Sequence, residues 1–126
     1  MAMSIKPTGR VVEIFTGTSL TSAATAVSSG IDVTNASYFG LWIKASSAGA
    51  SGVTGVRVWY EQSYDDTTGD YVVPDGVTST LTGAIVANVP RIVSIAPLPM
   101  EYLRFKATCT TAISADAVLT VKMFTQ

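Results

Sequence analysis

The stretch Gly55-Val56-Arg57-Val58-Trp59-Tyr60-Glu61 alternates without a break, with Val56, Val58 and Tyr60 on one side and Arg57, Trp59 and Glu61 on the other. Residues two apart share a face only in an extended chain, so this segment can bury one face and wet the other as a β-strand but not as a helix. The same period returns at 102–108, where Leu103, Phe105 and Ala107 alternate with Tyr102, Arg104 and Lys106. Segments 10–15, 38–45, 91–96 and 117–124 are also rich in β-branched and aromatic residues, and each is bounded by Gly, Pro, Ser or Thr. About eight strands at spacings of roughly 8 to 15 residues, with no helical period and no internal repeat, predict an all-β chain. The expected architecture is an antiparallel β-sandwich, jelly-roll-like.

Taken in order, residues 1–8 read as an N-terminal arm punctuated by Pro7 and Gly9, and residues 9–126 as one sandwich domain. Thr16-Gly17 is expected to close the first strand. Residues 19–30 read as a loop with a short strand at 24–27, and Ile31-Asp32-Val33-Thr34-Asn35 leads into a turn. In 38–45 six of eight residues are apolar or aromatic, which predicts a mid-sheet strand buried on both faces. The small-residue loop 46–52 has the length of a hairpin connection, so 38–45 is expected to pair antiparallel with 55–61, bringing Trp42 near Trp59. On that reading 55–61 lies in the middle of a sheet. Further strands are expected at 70–73, 78–82 and 84–86, with Pro74 marking a strand end or edge. The cations Arg104 and Lys106 suit a strand at a sheet margin, where charge discourages stray pairing.

Charge narrows the function classes. The net charge of -1 leaves no basic excess to neutralise phosphates, which argues against nucleic acid as a partner. No apolar run approaches the roughly 20 residues of a membrane helix, and the first residues lack the apolar core of a signal peptide. The expectation is a protein made in a cytoplasm, with no membrane partner. Cys109 is the only cysteine, so no disulfide can form within the chain, and its setting predicts a small buried hydrophobe. Charged residues make up only 13% of the chain against 48% hydrophobic. Long charged side chains are what interfaces exclude, so this composition predicts a subunit, and a homo-oligomer in particular.

No catalytic constellation is present. Histidine is absent, which removes the Ser-His and Cys-His nucleophile pairs and the commonest ligand of catalytic zinc. Gly49, Gly52 and Gly55 lie in a hairpin-like context with no helix N-terminus behind them, and read as a flexible turn. A glycosidase needs two carboxylates with one held protonated, but most of Glu13, Glu61, Asp65, Asp66, Asp70, Asp75 and Glu101 fall in turns. No catalytic residue, enzyme activity or cofactor is therefore assigned. Asp65, Asp66 and Asp70 form the one metal candidate, since with a backbone carbonyl they offer the oxygens calcium prefers, although the spacing departs from an EF-hand loop. The aromatics Trp42, Trp59, Tyr64 and Tyr71 suit either a subunit interface or a sugar-stacking platform, which keeps a glycan ligand open.

One further pattern lies in the last third: Pro97-Leu98-Pro99-Met100-Glu101-Tyr102-Leu103-Arg104-Phe105-Lys106-Ala107-Thr108, then a polar loop, then Ala117-Val118-Leu119-Thr120-Val121-Lys122-Met123-Phe124. A proline corner, a Tyr-Leu-Arg-Phe strand and a final apolar strand resemble the small β-sandwich structural proteins of tailed-phage virions. Galactose-binding-like jelly rolls, carbohydrate-binding modules among them, end in a similar manner. The phage resemblance implies a non-enzymatic virion component: a capsid decoration or cement protein, or a head or tail attachment subunit, that binds other virion proteins such as the major capsid or tail protein. The alternative it leaves is a carbohydrate-binding module using surface aromatics.

Overall fold

Alternation and β-branching become strands throughout the computed structural model, which describes residues 10–20, 25–47, 56–75, 89–109 and 117–126. Among these residues the strands are β1 (Arg10–Leu20), β2 (Thr25–Val27), β3 (Ile31–Asp32), β4 (Phe39–Ser47), β5 (Val56–Ser63), β6 (Arg91–Ile95), β7 (Tyr102–Cys109) and β8 (Ala117–Thr125). A single 3-10 turn spans Thr68–Asp70. The expected arm, the glycines of the 48–55 loop and the strands at 78–82 and 84–86 lie outside the described residues, as does the Cys109 side chain.

Two antiparallel sheets face each other. The first, sheet A, runs β1-β8-β4-β6; in the second, sheet B, β7 is flanked by β5 on one side and by β2 and β3 on the other. The pairing nests from the outside inward: β1 with β8, β2 and β3 with β7, β4 with β6, and β5 through Gln62 with Val72. A ribbon doubled on itself and rolled in this way is a jelly roll.

Rolling overturns the expected hairpin between 38–45 and 55–61. β4 lies in sheet A between β8 and β6, whereas β5 lies in sheet B and pairs with β7 along its whole length, from Val56 opposite Cys109 to Ser63 opposite Tyr102. The connection after β4 therefore crosses between the sheets. Among the described strands β7 is the central one of sheet B, so Arg104 and Lys106 lie mid-sheet rather than at a margin. Burial on both faces of β4 is also not seen: Leu41, Ile43 and Ala45 are fully buried, while Trp42 and Lys44 are half-buried on the outer side.

The core is the sum of the alternating inward positions. Leu41 and Ile43 from β4, Leu119, Val121 and Met123 from β8, Val58 and Tyr60 from β5, and Leu103 and Phe105 from β7 meet between the sheets. Each such side chain contributes about 1.5–3 kcal/mol by leaving water. The first strand does not stop at Gly17. Its register slips between Glu13 and Phe15 and again between Phe15 and Thr18, and it then runs on to pair Leu20 with Ala117. Gly17 sits at the second slip with φ +56, a left-handed conformation that glycine adopts at little cost, and its N–H donates to Thr120 Oγ1 at 3.1 Å. Across these bulges Phe15 is buried in the core and its neighbour Ile14 packs against it.

Candidate docking surface at one end of the sandwich

The first residues of β1, β4 and β7 and the last of β3, β5, β6 and β8 all meet at the same end. Arg10 donates to the Asp32 carbonyl, Val33 N–H to the Glu101 carbonyl, and Ser37 and Tyr38 N–H to the Gln126 carbonyl, so the loops 33–38, 64–74 and 96–101 close that end together. Asn35, at φ 67, makes the first of these turns, and Asp32 Oδ1 accepts from Thr34 N–H at 2.9 Å. That contact with Thr34 holds the Asp32 carboxyl below its ordinary range.

Gln62 fixes the proline corner. By the alternation of β5 its side chain points inward, and it is only 3% exposed. Its amide accepts from Leu98 N–H at 2.9 Å and donates to Leu98 O at 2.8 Å, as a neighbouring strand would. Its backbone makes the matching pair with Val72. One residue thus holds two loops, whose apolar side chains are turned outward: Tyr64 is 67% exposed, Val72 62% and Leu98 52%, while Tyr38, on the loop 33–38, is 73% exposed. Met100, Val11 and Phe124 add to the same rim. Burying these groups is favourable, and their number at one end makes it the natural contact surface of the described residues.

The acidic turn folds back over sheet B. Tyr71 is buried, with the Arg104 guanidinium 4.3 Å from its ring centre, and its hydroxyl donates to Asp66 Oδ1 at 2.6 Å. Burial, reinforced by the Asp66 carboxylate, raises the tyrosine's pKa well above its ordinary value. Arg104 in turn places both Nε and a terminal nitrogen 2.8 Å from Glu61 Oε1, and Lys106 Nζ lies 3.4 Å from the same oxygen. Glu61, Arg104 and Lys106 on the outer side of sheet B thereby form one network with the turn laid across it. Gly30 lies beneath: a Cβ there would meet Asp66 and Tyr71 side-chain atoms.

The calcium candidate does not assemble. Asp66, at φ 54, is committed to Tyr71, while Asp65 accepts from Ser63 Oγ and Thr67 N–H. Among the described residues no three acidic, histidine or cysteine side chains are grouped to hold a metal ion. Asp65 and Asp70 instead form a carboxyl pair. The hydrogen bond to Asp65 and its charge raise the Asp70 pKa. Burial pushes Asp65 up but is outweighed by its bonds from Thr67, Ser63 and Asp70, which leave it low.

Nor do the four aromatics form a platform. Trp42 lies on the outer face of sheet A with Lys122 Nζ 5.9 Å from its ring centre, and Trp59 lies half-buried on the outer face of sheet B, across from Lys106. The two tryptophans are thus on opposite sides of the sandwich, not adjacent. Tyr71 presents its ring to Arg104, and only Tyr64 joins the exposed end. The residues that sequence reading missed are Tyr38, Val72, Leu98 and Met100. The spacing of Leu98 between Pro97 and Pro99 was the available signal, since apolar residues bracketed by breakers stand in a surface loop. No protein-family model matches the chain, and no curated protein matches its sequence.

Proposed function

We propose that the chain is a non-enzymatic structural subunit of a virion, a decoration or attachment protein that joins an assembled particle through the loop end of its sandwich. The observation that carries this reading is the gathering of exposed Tyr38, Tyr64, Val72, Leu98 and Met100 at that end, the last four on the two loops that Gln62 ties down. Low charge content and the proline-corner resemblance favour the same reading. A subunit of this kind acts by mass action: it binds the assembled shell and not its free components, so each bound copy stabilises the shell against rupture. Many copies on one particle make a weak single contact sufficient.

The test is co-sedimentation with virions of the phage that encodes the protein, stripped of it beforehand. The wild type is expected to pellet with the particles and to raise their rupture temperature. A Leu98→Asp, Met100→Asp double variant with an unchanged melting temperature is expected to remain in the supernatant. Undiminished pelleting of that variant would remove the loop end from the reading.

A further inference from the structure

The chain carries two apolar surfaces with opposite charge around them. At the loop end, Tyr64, Val72, Leu98 and Met100 are exposed beside the exposed carboxylates of Asp65, Asp70, Asp75 and Glu101. Gln62, Ser63, Pro74 and these apolar side chains, with Asp70 at its edge, line a shallow depression of about 140 Å³. The second surface is the outer face of sheet A. There Ile92, at 84%, is the most exposed large apolar side chain of the described residues, and it stands directly across from Trp42. Lys122 is the next residue in that row and Lys44 follows Trp42 on the same face of β4. Glu13 lies beyond Lys122 on β1, at the far side from Ile92.

We propose that the loop end of one copy docks on the β4–β6 portion of the sheet A face of a second copy, with Ile92 entering the depression and Lys44 and Lys122 meeting the carboxylate rim. This names the partner of the docking end and rests on the reading of that end as a contact surface. Charge selects the arrangement. Two loop ends brought together would set carboxylates against carboxylates, whereas end against face sets them against lysines. The contact is therefore heterologous, with two different patches meeting, and it propagates from copy to copy as a ring or a row. A patch of this size is small beside a standard interface of roughly 800 Å² per partner, so free copies associate only weakly.

Sedimentation velocity at low salt tests it, across about 10 µM to 1 mM protein, a span chosen for a contact of roughly 100 µM affinity. The wild type is expected to show concentration-dependent growth that falls several-fold when salt is raised. Met100→Asp, which spoils the end, and Ile92→Asp, which spoils the face, are each expected to stay monomeric. Mixed in equal amounts they are expected to form a one-to-one dimer and nothing larger, because the intact face of one still fits the intact end of the other. Glu101→Lys, at an exposed position, and Lys44→Glu, at a half-buried one on the outer face, supply a second pair: each weakens association, and both in one chain restore it. A wild type that stays monomeric throughout, a mixture that stays monomeric, or single variants that still associate would each overturn the proposal. Self-association can fail while particle binding through Leu98 and Met100 persists, so this inference and the functional reading fall separately.

Discussion

Gly30→Ala isolates the contact that pins the acidic turn. Gly30 does not have the left-handed backbone seen at Gly17, so alanine is sterically permitted by its own conformation, and narrowing the unfolded ensemble should stabilise the protein by about 0.4–1 kcal/mol. The space is what forbids it. A Cβ at Gly30 would lie 2.8 Å from Asp66 Cγ, with the Asp66 carboxylate oxygen and the Tyr71 hydroxyl closer still. Both groups have to move, which breaks their 2.6 Å hydrogen bond. A hydrogen bond to a charged group is worth about 1.5–3 kcal/mol, and lifting Tyr71 from Arg104 forfeits about 0.5–2 kcal/mol more. Because Asp66 is exposed, water replaces part of this and the lower halves of both ranges apply. The net expectation is a loss of about 1–3 kcal/mol, or roughly 4–12 °C in melting temperature. Urea unfolding would measure it in two backgrounds, wild type and Asp66→Gly/Tyr71→Phe. Glycine suits position 66 because Asp66 already sits at φ 54. In the second background the three nearest atoms are gone, and Gly30→Ala should become neutral or slightly stabilising. An equal loss in both backgrounds, or no loss in the wild type, would refute the reasoning.

Three further outcomes are expected. Glu61→Gln leaves Arg104 and Lys106 without the charge they share on a site where the Glu61 and Arg104 side chains are each only 11% exposed, and should cost about 2 kcal/mol in urea unfolding. Gln62→Leu keeps the site apolar but strands the N–H and C=O of Leu98, which should cost about 1–3 kcal/mol and speed hydrogen exchange at Leu98 and Val72. Carboxyl-detected NMR titration should find Asp70 above the ordinary 3.8 and Asp65 below it, and Asp65→Asn should bring Asp70 back down. The signs oppose each other in acid: Asp65's contribution to stability is present above 3.8 and lost as pH falls through its lowered pKa, whereas protonation of Asp70 is favoured by folding and regains stability as pH falls through its raised one. Asp70→Asn should accordingly be tolerated at neutral pH.

What the sequence determined by itself was the element type, the faces and the fold class. Val56, Val58 and Tyr60 are buried and Arg57 is exposed as the alternation at 55–61 demands, and β7 divides its residues the same way, because side-chain direction in a strand is a local property of the backbone. Which strand pairs with which is not local. The connection after Ser47 looked like a hairpin by length and composition, yet it crosses from one sheet to the other, since nesting β1 on β8, β2 and β3 on β7 and β4 on β6 buries both inner faces at once. The site followed suit. Asp66 was legible as an acid in a turn, but the Tyr71 ring that bonds it lies against Arg104, which arrives from β7, far along the chain. Leu98, Met100, Val72 and Tyr38 were legible as apolar residues near breakers. Only the tertiary structure brought them to one end, because the closure of strand ends from both sheets, held by Gln62, decides which loops become neighbours and which side chains are left facing water.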